Sequence, residues 1–211
     1  MRYSVLVVLL AVLAASAFGA TLVLQPDGAA GKDVGAWQAT PTSNQGNSAF
    51  LMQNYGNSME CRAFLEYDLS SISGASVTLA TFDLWVHPTY GNPTNYSFGI
   101  YRVTASWAEN TVTWNSQPAY NASAYDTKTV TGAAGSLTTW TVTTLIQQWV
   151  TGTYSNYGLA CCRINMSNQT PWPYFLSSDD TVAGTRPRLT ITYTSSGVAP
   201  TSLGRIKSLY Q

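Results

Sequence analysis

His87 is the single histidine of the 211-residue chain, and it ends the run Asp83-Leu84-Trp85-Val86-His87, with Tyr90 close behind. In an extended strand the side chains alternate, so Asp83, Trp85 and His87 share one side. A carboxylate, an indole and an imidazole in a row suit sugar recognition. The aromatic ring stacks on the apolar face of a pyranose and the polar neighbours satisfy its hydroxyls. Tyr90 or Tyr96 extends such a platform from the next loop, and Trp172 can join it from the Pro171-Trp172-Pro173-Tyr174 loop. The predicted ligand-binding set is therefore Asp83, Trp85, His87, Tyr90 and Trp172. The plainer alternative is that a loop or helix covers Trp85 and makes it part of a second core.

Catalytic chemistry is not expected. No G-x-S-x-G, H-E-x-x-H or P-loop pattern occurs in the chain. Glycoside hydrolysis needs two carboxylates facing one cleft. Of only ten acidic residues, Glu66, Asp68, Asp83 and Glu109 each have a structural reading. A lyase site built from His87, Tyr90 and Arg102 is the weakest of the alternatives. No cofactor is expected. Structural calcium could use the carboxylates of the Asp27–Asp33 loop or of Asp179-Asp180, although solvated turns explain both equally well.

Ten basic residues balance ten acidic ones, so the net charge is zero. That removes the electrostatic case for nucleic acid or an anionic membrane as partner. Only 9% of residues are charged, and Thr, Ser, Asn, Gly and Tyr carry the surface, as in exported β-sandwiches.

The N-terminus agrees with export. Arg2 supplies a positive charge, Ser4 to Phe18 is almost unbroken Val, Leu and Ala, and Ala17-Phe18-Gly19 is a small-x-small cleavage site. Residues 1–19 thus read as a secretory signal peptide, too short for a stable span. The expected location is secreted, extracellular or cell-surface, with no membrane insertion after cleavage. Three cysteines follow: Cys61, Cys161 and Cys162. Strand parity turns Cys61 and Cys161 inward and Cys162 outward. One disulfide, Cys61–Cys161, is expected, with Cys162 on the surface; three small apolar fillers are the alternative.

These residues are carried by many short runs of alternating or β-branched character, separated by Gly, Pro and Asn turns. The fold class is all-β, an antiparallel β-sandwich of jelly-roll type with about ten strands and one short helix. The helix belongs to Trp140–Val150, where Leu145, Ile146, Trp149 and Val150 fall on one side, Thr143 or Thr144 caps it and Gly152 ends it. Thr111-Val112-Thr113-Trp114 has strand composition. Two packed sheets should bury Trp149 together with Trp107 or Trp114.

The segment Trp107-Ala108-Glu109-Asn110-Thr111-Val112-Thr113-Trp114-Asn115-Ser116-Gln117-Pro118 resembles the signature of the DNRLRE (disaggregatase-related) domain. That family is similar to carbohydrate-binding module family 96, of alginate-binding type. The resemblance runs on through Leu65-Glu66-Tyr67-Asp68-Leu69-Ser70-Ser71-Ile72, the Trp140–Gly152 stretch, Asn156-Tyr157-Gly158-Leu159 and the closing Arg186-Pro187-Arg188-Leu189 strand. Thr141 replaces the Asp usual before the helix, so that residue's role does not carry over. The resemblance implies a single β-sandwich domain over residues 21–194 that binds polysaccharide or cell-surface glycan without catalysis. A structural or adhesive surface protein with no specific sugar is the alternative. Residues 195–211 form a linker and short tail. In the tail Leu203, Ile206, Leu209 and Tyr210 have helical spacing, which suits either docking on the domain or handling by a surface-attachment machinery.

Overall fold

A computed structural model describes residues 19–52, 59–90, 96–131, 133–164 and 173–195. Residues 1–18, where the signal peptide is expected, residues 196–211 and Trp172 lie outside the described residues. Among the described residues eleven strands and one α-helix follow in the order β1 (Ala20–Leu24), β2 (Asp33–Trp37), β3 (Phe50–Met52), β4 (Cys61–Leu65), β5 (Ser76–Trp85), β6 (Tyr96–Arg102), β7 (Asp126–Val130), β8 (Leu137–Thr141), α1 (Thr143–Val150), β9 (Leu159–Arg163), β10 (Phe175–Leu176) and β11 (Arg188–Thr194).

The strands form a four-stranded sheet, β1-β11-β5-β8, and a five-stranded sheet, β2-β4-β9-β6-β7, with β10 and β3 as a separate pair. Every pairing is antiparallel. The chain passes repeatedly from one sheet to the other, which is the jelly-roll arrangement expected. The inter-sheet core takes the inward residues of each strand: Cys61, Ala63 and Leu65, Phe98 and Ile100, and Leu159 and Cys161 from one sheet. Ala80, Phe82 and Leu84, Trp140, and Leu189 and Ile191 come from the other.

Helix α1 closes one end of this core with Leu145, Ile146, Trp149 and Val150, as their spacing predicts. Its cap differs from expectation. The N-cap residue is Val142, without a side-chain bond, while the Thr143 hydroxyl accepts the Ala80 N–H at 2.9 Å. Thr143 therefore ties the helix to β5 rather than capping its own first turn. Gly152, at φ 72°, supplies the left-handed residue after the helix.

The signature segment behaves differently from its composition. Thr111–Trp114 is not a strand; Glu109–Thr111 is a 3-10 turn, and the loop lies across the outer face of the five-stranded sheet. There Trp107, Val112, Trp114 and Tyr120 pack on Val34, Ala36, Phe64, Ala160 and Cys162. The Trp107 indole N–H donates to the Tyr157 carbonyl at 2.8 Å, and Arg62 lies 4.6 Å from the Trp114 ring. Trp107 and Trp114 thus build an outer layer, while Trp140 and Trp149 occupy the inter-sheet core. Glu109 accepts the Asp33 N–H at 2.9 Å and pins the loop to the start of β2.

That layer also corrects the cysteine reading. Cys162 points outward from β9, as parity requires, yet it is only 5% exposed because the signature loop covers it. Cys61 and Cys161 do face the same core, but no disulfide joins them. Cys161 sits opposite Ala63, so Cys61 is its diagonal neighbour across the strands. Diagonal Cα atoms lie roughly 7–8 Å apart, beyond the usual reach of a disulfide.

Candidate functional site

The outer face of the four-stranded sheet has no covering loop among the described residues. Val23, Leu79 and Leu137 on that face are 53%, 49% and 44% exposed. Strand register lays its side chains out in rows. Thr81 of β5 lies between Thr190 of β11 and Thr141 of β8, Asp83 between Arg188 and Thr139, and Trp85 opposite Leu137.

Asp83 points outward yet is only 4% exposed. Arg188 Nε and Nη2 donate to its Oδ2 at 2.9 and 2.7 Å, and the Thr139 hydroxyl donates to Oδ1 at 2.6 Å. The guanidinium carbon also lies 4.9 Å from the centre of the Trp85 ring. The carboxylate orients the arginine, and the arginine braces the indole on the sheet. Trp85 is half-buried, with Arg188 lying over its ring.

Beyond β5 the chain builds an aromatic corner. Val86 bridges to Phe175, and the His87 N–H donates to the Tyr174 carbonyl at 2.8 Å. His87 Nδ1 accepts the Thr89 and Tyr90 N–H groups at 3.0 and 3.3 Å, which holds the imidazole in place and bends the chain back. Tyr90 consequently stacks on His87, with centroids 4.6 Å apart and planes at 21°. Phe50 meets His87 and Tyr174 edge-on, at 5.4 Å in each case, and Tyr174 packs 5.2 Å from Tyr90. Tyr90 remains 51% exposed.

The matched family is carbohydrate-binding module family 96, whose model covers residues 32–193. The chain belongs to this family. The match takes in the five-stranded sheet, the four-stranded sheet apart from β1, the signature loop and the helix, in agreement with the resemblance drawn from the motifs. A comparison with curated proteins finds no match.

Of the five residues expected at the module's ligand site, the structure brings four along one side of β5 and its extension: Asp83 and Trp85 on the sheet, His87 and Tyr90 at its end. Trp172, two residues before Tyr174, falls outside the described residues. Tyr96, the other tyrosine considered, is buried at 3% exposure, with Arg163 4.6 Å from its ring. Arg188 and Phe50 were missed. Arg188 was legible in principle, because it alternates with Leu189 and Ile191 on an inward-facing strand. Phe50 was not, since its place beside His87 depends on the β3–β10 pair.

Asp27 and Asp33, two of the carboxylates considered for calcium, are employed locally. Asp27 Oδ1 accepts the Ala29 and Ala30 N–H groups, and Asp33 accepts the Ser178 N–H and hydroxyl at 2.8 Å each. Burial pushes the Asp33 carboxyl up to about 6, against the pull of the Ser178 bonds, and nearby Glu109 and Asp179 add to the rise. Among the described residues no three His, Cys, Asp or Glu side chains group to hold a metal ion. No helix among the described residues is long and apolar enough to cross a membrane.

Proposed function

We propose that this module is exported, has no catalytic activity of its own, and binds extracellular or cell-surface polysaccharide through the aromatic corner and the adjoining sheet face. The observation that carries the reading is Tyr90: a half-exposed ring held flat against His87 and flanked by Phe50 and Tyr174. A ring fixed in advance loses little freedom when a sugar stacks on it. Trp85 with Arg188 continues the surface along β5. Arg188 has donors left over from its Asp83 pair, so it can reach sugar hydroxyls or a uronate carboxylate. Affinity of roughly 1 mM to 1 μM, about 4–8 kcal/mol, is expected for such a small stacking surface.

The test is binding of the mature protein to a polysaccharide panel that includes alginate, with Tyr90→Ala and Trp85→Ala compared against the wild type and folding checked by circular dichroism. Loss of at least tenfold in affinity in both variants is expected (~1.4 kcal/mol). Unchanged binding in both would remove the corner from the site. Absence of wild-type binding to every glycan would put the structural or adhesive reading first.

A further inference from the structure

The chain passes out of β11 at Thr194, and β11 lies between β1 and β5 in the four-stranded sheet. On the outer face at this end, Leu79 of β5 stands opposite Thr192, and Val23 of β1 stands opposite Thr190. Both apolar side chains are about half exposed. Thr21, Thr81, Thr190 and Thr192 complete the strip, none of them charged. The first charges on this face, Asp83 and Arg188, lie in the row beyond Thr81 and Thr190 and neutralise each other. Two exposed aliphatic residues thus flank the strand from which the C-terminal segment departs.

That segment carries the complement. At 100° per residue, Leu203, Ile206, Leu209 and Tyr210 fall within about 120° of one another. Arg205 falls on the opposite side, and Thr201 or Ser202 can cap the turn before them. A helix of about ten residues is marginal alone in water and needs a surface for its apolar stripe. The lengths agree. Residues 195–202 reach up to about 26 Å when extended, and Leu79 lies roughly 7 Å back from the end of β11. Val23 and Leu79 are separated by two strand spacings and one step along the strand, roughly 12 Å. Residues 203–210 as a helix span about 12 Å.

Size decides the occupant. The strip offers on the order of 200 Å², whereas a free partner or a second copy needs roughly 800 Å² a side. A tethered segment is present at a millimolar effective concentration, so a contact too small for a free partner is enough for it.

We propose that residues 203–210 dock as a helix across the Val23–Leu79 strip, so that this end of the sheet face is covered by the protein's own C-terminal segment. Leu203, Ile206, Leu209 and Tyr210 then meet the strip, while Arg205 and Ser208 face solvent. Leu79 and Trp85 lie roughly 20 Å apart along β5, so the proposal neither uses nor obstructs the polysaccharide reading.

The experiment attaches a nitroxide to Ser208→Cys in mature protein carrying ¹³C-labelled Leu and Val methyl groups. The native thiols Cys61, Cys161 and Cys162 are buried and stay unlabelled. Broadening of the Val23 and Leu79 methyl signals should exceed severalfold that of Leu137, an exposed leucine opposite Trp85 at the far end of the same face. Ile206→Asp in the segment and Leu79→Ser on the sheet should each abolish the broadening at Val23; Leu79 is exposed, so its replacement leaves the core intact. The proposal is overturned if Val23 and Leu79 broaden no more than Leu137, or if the effect survives Ile206→Asp. It is also overturned if isotope-labelled protein mixed with a spin-labelled, unenriched copy shows the same broadening, which would make the occupant a second copy.

Discussion

Arg188 and Asp83 sit directly opposite each other on β11 and β5 and are joined by two hydrogen bonds to one carboxylate oxygen, at 2.9 and 2.7 Å. The pair fills the middle of an exposed sheet face, with the carboxylate side chain 5% exposed and the arginine side chain 34%. A buried carboxylate on a surface row is tolerable only with such a partner. Arg188→Ala leaves Asp83 with Thr139 alone and should cost about 2–4 kcal/mol in urea unfolding. Asp83→Asn in the same background should recover part of that loss, because the unpaired charge is gone. Additive losses in the two variants would show that the ion pair does not couple them.

The signature loop is held to the sheet by the Trp107 N–H bond to Tyr157 and by burial of its rings. Trp107→Phe keeps most of the ring and removes the donor, so it should cost about 1 kcal/mol. Trp107→Ala opens a cavity over Phe64 and should cost about 3 kcal/mol or more. Equal losses in equilibrium denaturation would mean that the hydrogen bond dominates and the packing is slack.

Asp33 makes stability depend on pH in an unusual direction. Its carboxyl lies near 6 in the folded chain against 3.8 when solvated. The folded state therefore holds a proton that the unfolded state releases, and stability falls as pH rises from about 4 through 6. The two-unit difference corresponds to at most about 3 kcal/mol. Burial also raises Glu109 and Asp179, so they act in the same sense. Melting should occur several degrees higher near pH 4.5 than near pH 7.5, about 2–4 °C per kcal/mol at this size. Asp33→Asn should flatten the profile; a variant with the wild-type slope would place the effect elsewhere.

Cys161 and Cys162 are both buried, and burial raises both thiols, Cys162 to about 12. At pH 8 their thiolate fraction is negligible, so a disulfide-exchange reagent should react with them slowly in the native protein. After denaturation without reductant, the expected count is three thiols per chain. A count of one would show that one disulfide forms, and peptide mapping would then say whether it joins Cys61 to Cys161. Trp107→Ala should speed native-state labelling of Cys162 selectively, because that side chain forms part of its cover.

What local pattern could determine, it determined well. Period-two alternation placed the inward sets Cys61-Ala63-Leu65 and Ala80-Phe82-Leu84, and 3.6-residue spacing placed Leu145, Ile146, Trp149 and Val150, because each pattern reports which face a single element buries. Parity likewise put Asp83, Trp85 and His87 on one side of β5. It said which way a side chain points but not what lies there, and that was decided by contacts between residues far apart in the chain. Cys162 points outward and is buried because a loop some fifty residues earlier crosses over it. Asp83 points outward and is sealed by Arg188, 105 residues away. Thr111–Trp114 has strand composition, yet Val112 and Trp114 are packed against the cluster of Phe64 and Ala160 on the outer sheet face, so the segment forms a cover instead. The aromatic corner belongs wholly to this tertiary level. Its four rings come from three separate segments, and only the pairing of β3 with β10 beside the end of β5 brings them into contact.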